Sequence, residues 1–196
     1  MGLPEWTVLA VISEQPTYGF AVAQLTTSDG ELGRVWQIPR PVIYRAIGRL
    51  AEADLITPQS TEPGQQGPQR TIYAATDTGH DAVGKWLDTP VEHVRDMRSH
   101  MLLKLALLHR RSTDASDLIR RQKATLEPIA QAIGSETPID SFETVLLAWR
   151  RANVAGAITF LDDMLQRVEA PEGAGSLLGV SPIAGRGNTR SLNSDP

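Results

Sequence analysis

The sequence predicts a mainly α-helical protein with one β-hairpin, and three observations support this fold class. Apolar residues recur at i, i+3, i+4 and i+7, the spacing of one helix face, at Ile43, Ala46, Ile47 and Leu50. Two short β-like runs, 56–60 and 70–76, then flank a loop rich in Gly, Gln and Pro. Beyond Pro90 the apolar spacing is helical again. A helix followed at once by such a hairpin is the layout of a winged helix-turn-helix.

Two helices are expected before the helix that contains Ile43. The first spans residues 3–13 and carries buried apolar residues on one side. Thr17 is a good N-cap residue and is expected to open a second helix over about 18–27. In that helix either Phe20 or Val22 should point into the core.

The segments on either side of the third helix also carry local signals. Residues 35–38 are either a short strand or an extended lead-in, because a proline disfavours helix in the residue before it. Pro41 suits the first turn of the helix, where its missing N–H would be unpaired anyway. Thr76 is expected to cap a fourth helix over 77–87.

The outward side of the third helix is basic. Arg40, Arg45 and Arg49 form a stripe opposite the apolar face. The whole chain has a net charge of −4, and residues 1–90 hold six cations against ten acids. Four of those six cations nevertheless lie on the third helix and the hairpin. A local basic patch on an acidic body can still bind phosphates at one face, so net charge decides neither for nor against nucleic acid.

Three segments together resemble the DNA-binding domain of PadR-type transcriptional regulators, over about residues 3–89. They are YGFAVAQL, VIYRAIGRLAEADLI and GPQRTIYAATDTGHDAVGKWL, in that order. Two positions depart from the family pattern. Asp54 stands where the family has the glycine of the helix-to-strand turn, and Asp can adopt the left-handed conformation. Thr71 stands where a second basic residue is common, which predicts weaker contacts by the wing.

The resemblance and the basic stripe together predict the residues that contact DNA. These are Arg40, Pro41, Tyr44, Arg45, Arg49, Gln69 and Arg70. The planar guanidinium of arginine can bind phosphate or guanine with two parallel hydrogen bonds. Tyr44 is expected either to touch the sugar-phosphate backbone or to pack on the core. Arg70, expected at the wing tip, should contact phosphate or the minor groove and so position the protein without specifying sequence.

The second half of the chain predicts an α-helical dimerisation domain. MLLKLALL, within a helix over 96–109, is apolar nearly all round, which indicates burial on several sides. Another helix should start at Thr113 or Asp114, and the pair Asp140 and Glu143 fits a capping box that opens a long last helix. That helix would be roughly 40 Å long, more than this half of the chain can cover, so a second subunit is expected. The predicted dimer residues are Leu102, Leu105, Leu108, Val145, Trp149 and Phe160.

The apolar line predicted for this last helix runs through Val145, Trp149, Ala152, Phe160 and Met164. Trp149 is either a dimer-core residue or part of an effector pocket, since the family can bind small molecules near aromatic residues at the dimer interface. The predicted domains are therefore 1–89 for DNA binding and 90–169 for dimerisation. Residues 170–196 are rich in Gly, Ser, Pro and Asn and are expected to be a disordered tail.

Composition and motifs argue against a metal-binding protein, a membrane protein and an enzyme. The chain has no cysteine, which excludes thiolate metal sites and suits a reducing cytoplasm. The four histidines show no metal-ligand spacing, and we find neither a nucleophile elbow nor a phosphate loop. No apolar run approaches the roughly 20 residues of a membrane span, and no signal peptide is recognisable. We therefore expect no cofactor, no metal and no enzymatic activity.

The interpretation that follows is a cytoplasmic transcriptional regulator, a repressor as in most of the family. A homodimer would bind a pseudo-palindromic operator and respond to a small-molecule effector. The alternative is a protein–protein interaction module, because winged helices also serve as protein-binding scaffolds.

Overall fold

The computed structural model describes residues 1–63 and 69–169. Within them it contains seven α-helices and one two-stranded antiparallel sheet. The elements are α1 (Leu3–Glu14), α2 (Gly19–Leu25), α3 (Arg40–Glu52), β1 (Ile56–Glu62), β2 (Arg70–Ala75), α4 (Asp77–Asp88), α5 (Leu102–Arg110), α6 (Ser116–Ser135) and α7 (Ser141–Glu169). A 3₁₀ turn at Val94–Asp96 and a wide π turn at Met97–Met101 lead into α5. We refer to α1–α4 with the hairpin as the winged unit and to α5–α7 as the helical unit.

Helix α1 forms the centre of the winged unit, and its apolar residues are buried from end to end. Val8, Leu9 and Ile12 are at most 1% exposed. The predicted inward face of α3 packs against α1, and all four of its residues, Ile43, Ala46, Ile47 and Leu50, are buried. Trp6 of α1 stacks on Trp86 of α4 with ring centroids 5.1 Å apart. The helical spacing therefore predicted both the helix and the face that it buries.

Two local signals outside the helices are also confirmed. The Thr76 hydroxyl accepts a hydrogen bond from the Gly79 backbone N–H at 3.1 Å and donates one to the Asp54 carbonyl at 2.8 Å. It thus caps α4 and ties the start of that helix to the turn after α3. Asp54 has a φ of 54°, the left-handed conformation expected there.

The prediction that Thr17 caps α2 is wrong. The helix begins at Gly19, and no side chain caps it. Thr17 instead exchanges two backbone hydrogen bonds with Tyr73 of β2, at 2.9 and 2.8 Å. This contact between residues far apart in the chain uses the backbone groups of Thr17 to hold the hairpin against the start of α2. Residues 36–39 are an extended lead-in to α3 and not a strand.

The apolar core continues without a break from the winged unit into the helical unit, where α6 and α7 pack on each other and α5 contacts α1. Met101, Leu103 and Leu107 are fully buried, as MLLKLALL predicted. Helix α6 buries one face, at Leu118, Gln122, Leu126 and Ile133. Helix α6 continues through Pro128. The Asp114 carboxylate accepts hydrogen bonds from both the N–H and the hydroxyl of Ser116, and so caps the start of α6.

Helix α7 starts with the predicted cap in a slightly different form. The Asp140 carboxylate accepts a hydrogen bond from the Glu143 N–H at 2.7 Å. The Glu143 carboxylate reaches back to the N–H of Ile139, at 2.6 Å, and not to that of Asp140. The backbone N–H groups of Glu143 and Ile139, which have no partner within the helix, are therefore both hydrogen-bonded.

Helix α7 packs on α6 with a face other than the apolar line predicted for the dimer. Leu147, Val154 and Leu161 are buried, at most 3% exposed. The predicted line lies on the opposite side of the helix, where Val145 is 65% and Trp149 68% exposed. Helix α7 thus carries two apolar faces, and the sequence did not show which one its own chain covers. The division of the chain at residue 90 stays a prediction, and the predicted tail from 170 onward lies outside the described residues.

Candidate nucleic-acid interface

The outward face of α3 presents polar and aromatic side chains in a row. Arg40, Tyr44, Arg45 and Arg49 are all exposed, while the opposite side of the same helix is core. Pro41 lies in the first turn, as predicted. Helix α3 cannot rotate about its axis without exposing the apolar residues on its opposite side, so this face stays directed to the outside.

Arg40 is held by two aromatic rings. Its guanidinium carbon lies 4.9 Å from the centre of the Phe20 ring and 5.7 Å from that of Tyr44. Phe20 is on α2 and is 41% exposed, whereas Val22 fills the core. Cation–π contacts of this kind contribute about 0.5–1 kcal/mol at exposed sites. They restrict the rotamers of Arg40 and leave its N–H donors free to face outward.

Helix α2 approaches α3 closely at a glycine. A Cβ added at Gly19 would lie 2.9 Å from both the Tyr44 ring and the Ile47 side chain. A larger residue here would have to displace these two side chains, and the packing around glycine places Tyr44 on the flank of the exposed face. Tyr44 is 47% exposed, so its packing on α2 leaves room for the contact with the sugar-phosphate backbone, which stays a prediction. It contacts the core side of α2, and it stays available to a ligand.

The two arginines along α3 differ in their partners. Arg45 is exposed and makes no hydrogen bond or ion pair within residues 1–63 and 69–169. Arg49 pairs with the nearly buried carboxylate of Glu5 on α1, at 2.8 Å. Burial raises the pKa of Glu5, but the hydrogen bonds from Arg49 and from the Gly2 N–H outweigh it and leave that pKa below its ordinary value. Arg49 is therefore engaged in holding α3 to α1.

Arg70 does not lie at the tip of the wing. It is the first residue of β2 and pairs with Glu62, the last residue of β1. Two of its nitrogens donate to one Glu62 oxygen, at 3.2 and 2.8 Å. Its guanidinium also covers the Tyr18 ring at 4.5 Å. The hydrogen bond to Glu62 raises the pKa of Arg70, so the group stays charged while it connects the base of the wing loop to the start of α2.

The other residue predicted for the wing contact is Gln69, and aromatic residues near α3 were not predicted at all. Gln69 is exposed beside Arg70, and residues 64–68 lie outside the described part of the chain. Phe20 and Tyr18, whose rings contact Arg40 and Arg70, were missed as residues near this face. The sequence left either Phe20 or Val22 to point into the core, and the structure buries Val22.

The predicted dimer residues fall into two groups. Val145 and Trp149 are exposed, and Phe160 is partly buried on the same side of α7. Leu108 is 7% exposed and belongs to the core of its own chain, while Leu102 and Leu105 are half-buried. An open groove between α6 and α7 is lined by Ala130, Arg151, Val154, Ala155, Ile158 and Thr159. Trp149 does not line that groove.

Neither a metal site nor a membrane span is found among the described residues. No group of three or more His, Asp or Glu side chains there could hold a metal ion. None of the helices seen there has the length and apolar character needed to cross a membrane.

A basic helix face beside a β-hairpin, with three helices behind it, defines a winged helix-turn-helix of the DNA-binding type. Comparison with known proteins finds a related family. Residues 8–85 match the model of the "Transcriptional regulator PadR-like family". The match lies within the winged unit, which is therefore similar to PadR-like transcriptional regulators. No curated protein sequence matches the chain.

Several solved structures are similar over most of the chain. Bacillus subtilis PadR in complex with operator DNA has 17% identity and a TM-score of 0.42, and covers 82% of this chain and 97% of its own. Bacillus subtilis PadR in complex with p-coumaric acid has 17% identity and a TM-score of 0.37, covering 86% and 96%. The Vibrio cholerae virulence activator AphA has 19% identity and a TM-score of 0.36, covering 85% and 98%. These similarities are too distant to transfer an operator or an effector to this chain.

Proposed function

We propose that this protein is a transcriptional repressor that binds a pseudo-palindromic DNA operator as a homodimer. The observation that carries the proposal is the exposed row of Arg40, Tyr44 and Arg45 on α3. The opposite side of that helix is locked into the core by Ile43 and Ile47. A helix presented in this way can enter the major groove, where side chains near its amino terminus reach base edges.

The three residues have different chemistry toward DNA. Arg45 has no protein partner in the described chain, so its guanidinium can form two parallel hydrogen bonds with the N7 and O6 atoms of guanine. Arg40, held between Phe20 and Tyr44, is preorganised for a phosphate at the helix start. The Tyr44 hydroxyl can donate to the adjacent sugar-phosphate backbone. Arg49 and Arg70 already have carboxylate partners and play supporting roles.

The dimer is supported by the second apolar face of α7. Phe142, Val145, Leu146 and Trp149 are between 42% and 74% exposed in the single chain. A cluster of large apolar side chains on one helix face marks an interaction surface. A two-fold axis along this face would give two copies of α3, which suits two half-sites about one helical turn of DNA apart.

Regulation by a small molecule needs a ligand that binds two arrangements of the dimer with different affinity. The exposed indole of Trp149 lies on the face that we assign to the dimer, so a pocket that includes it would form only on assembly. A ligand there could change the angle between the two winged units and so release the operator.

The test is a gel shift with the DNA upstream of the gene for this protein, with scrambled DNA of the same length as competitor. We expect a complex that resists scrambled competitor, and we expect Arg40→Ala/Arg45→Ala to lose this preference. A wild-type protein that binds both DNAs equally, or neither, would overturn the proposal. A protein–protein interaction module would then be the better interpretation.

A further inference from the structure

Two consecutive arginines at the end of α5 connect the helical unit to the winged unit. Arg110 donates from Nε and a terminal nitrogen to the two carboxylate oxygens of Glu14, at 3.3 and 2.7 Å. Its other terminal nitrogen donates to the carboxylate of Glu31. Arg111 donates to the Ala10 carbonyl at 2.6 Å and to the Ser13 hydroxyl at 2.7 Å. The end of α1 is thus fastened to the end of α5.

The Arg110 guanidinium is set firmly in this position. The side chains of Arg110 and Glu14 are only 19% and 15% exposed, whereas that of Glu31 is 50% exposed. Helix α5 ends at Arg110, and two residues further on Ser112 adopts the left-handed conformation with a φ of 50°. Cations in the last turn of a helix are also favoured by the helix dipole. With Nε and one terminal nitrogen held by Glu14, the planar guanidinium directs its remaining terminal nitrogen toward Glu31.

Glu31 lies in the turn that joins α2 to α3. This turn is closed by backbone hydrogen bonds from Leu32 and Gly33 to the Leu25 carbonyl, at 2.9 and 3.0 Å. A Cβ on Gly33 would lie 1.7 Å from the Thr27 carbonyl oxygen, so the backbone is packed on itself. Leu32 is fully buried. A turn built this way moves as one body with the helices that it joins.

We propose that Arg110 is a positioning residue that couples the helical unit to the recognition helix through Glu31. Any rotation of α5 relative to the winged unit must either break the Arg110–Glu31 contact or carry the turn with it. The contact thus transmits the arrangement of the helical unit to the start of α3. The DNA-binding part of this inference rests on the proposed function, whereas the contact itself does not.

Another ion pair between the two units provides a matched control. Arg121 of α6 donates both terminal nitrogens to the Asp88 carboxylate of α4, away from the turn. Its side chain is 45% exposed and that of Asp88 is 66% exposed. Arg121→Gln removes an arginine–carboxylate pair between the units without touching the turn, so it separates general docking from coupling through Glu31.

The first measurement is hydrogen exchange of the amides in residues 27–36, in the full chain without DNA. We expect Arg110→Gln to speed exchange there by about fivefold or more, the usual range of a coupling between sites. Glu31→Gln, at a half-exposed side chain that the fold can spare, should do the same. Arg121→Gln should leave the turn unchanged. Unchanged exchange in both Arg110→Gln and Glu31→Gln would overturn the proposal.

The second measurement is operator affinity in a double-mutant cycle of Arg110→Gln and Glu31→Gln. Removing Glu31 also removes a negative charge from the winged unit, and the cycle cancels such additive effects. We expect the two changes to be non-additive, and we expect Arg110→Lys, which keeps the charge without the fork, to resemble Arg110→Gln. Strict additivity would contradict coupling. A wild type without operator preference would contradict the proposed function instead, while the exchange experiment would still report on the contact.

Discussion

The winged unit and the helical unit expose different kinds of apolar side chain. In the winged unit, two of the exposed large side chains, Phe20 and Tyr44, lie around the guanidinium of Arg40. In the helical unit, the exposed cluster is on α7 and includes Phe142, Val145 and Trp149. The first arrangement suits a charged, hydrated partner, and the second suits another apolar surface. One chain thus presents the proposed nucleic-acid face and the proposed protein face on separate elements.

The protein face should show the largest effect of a single substitution. Trp149→Glu places a charge at the centre of the proposed interface, so we expect a loss of about 2–4 kcal/mol in dimer stability. Operator binding should fall with it, because one recognition helix remains per molecule. Light scattering at low micromolar concentration and a gel shift measure the two effects.

Ala148→Glu is the matched control for that substitution. Ala148 is exposed on the same turn of α7, about 100° around the helix from Trp149. It should leave the dimer intact. A wild-type protein that is monomeric and folded at low micromolar concentration would refute the dimer altogether.

The nucleic-acid face should show intermediate effects that separate sequence reading from phosphate binding. Arg45→Ala removes a base contact, so operator affinity should fall by about 1–3 kcal/mol while affinity for scrambled DNA changes little. Arg70→Ala should weaken both DNAs alike, since it loosens the wing from Tyr18. A salt titration of each variant on both DNAs measures these affinities.

The salt dependence then decides what Arg70 does. If it reaches a phosphate, its loss lowers the slope of log affinity against log salt by about one. If it serves only to hold Glu62 and Tyr18, the slope stays as in the wild type. Equal weakening of both DNAs by Arg45→Ala would show that α3 does not read bases through this residue.

A buried lysine at the junction of the two units should change how stability depends on pH. Lys104 of α5 is 3% exposed, donates to the Thr89 carbonyl and lies 5.0 Å from the centre of the Trp86 ring. Burial lowers the pKa of Lys104 to about 8 from an ordinary value of 10.5, against the opposing effect of the Asp88 charge. Between these two values the folded chain has released a proton that the unfolded chain keeps.

Stability therefore rises with pH across that window, since the unfolded state binds more protons there. Urea denaturation of the wild type and of Lys104→Met between pH 7 and 10 tests this. We expect the wild type to gain stability relative to the variant from about pH 8 upward. A constant difference between the two proteins over the whole range would contradict the lowered pKa.

The smallest effect is expected at Arg49, whose side chain is 68% exposed. Arg49→Ala should cost about 0–1 kcal/mol at neutral pH, the usual range for an exposed ion pair screened by solvent, and should leave operator preference unchanged. Glu5 loses its partner, so its lowered pKa should rise. The stability from that carboxylate is present at neutral pH and is lost as pH falls through the folded pKa. Acid unfolding should then begin at a higher pH than in the wild type, as circular dichroism can follow.

Much of the fold follows from patterns within single elements. The apolar spacing of α3, the hairpin, the Thr76 cap and the positions of α4 and α6 were all predictable, because each depends on residues within a few positions of one another. The family resemblance added the turn at Asp54 and the expectation of DNA binding. For the candidate site, this local information identified the outward face of α3 and the residues Arg40, Tyr44 and Arg45 on it.

Only the tertiary structure decided which partner each of these elements has. Glu5 and Arg49 are 44 residues apart, and Glu14 and Arg110 are 96 apart, so no local pattern connects them. The same holds for Thr17 with Tyr73 and for Phe20 with Arg40. Helix α7 illustrates the reason most directly. Its sequence specifies two apolar faces of similar character, and packing against α6 alone determines which of them the chain buries and which it leaves exposed.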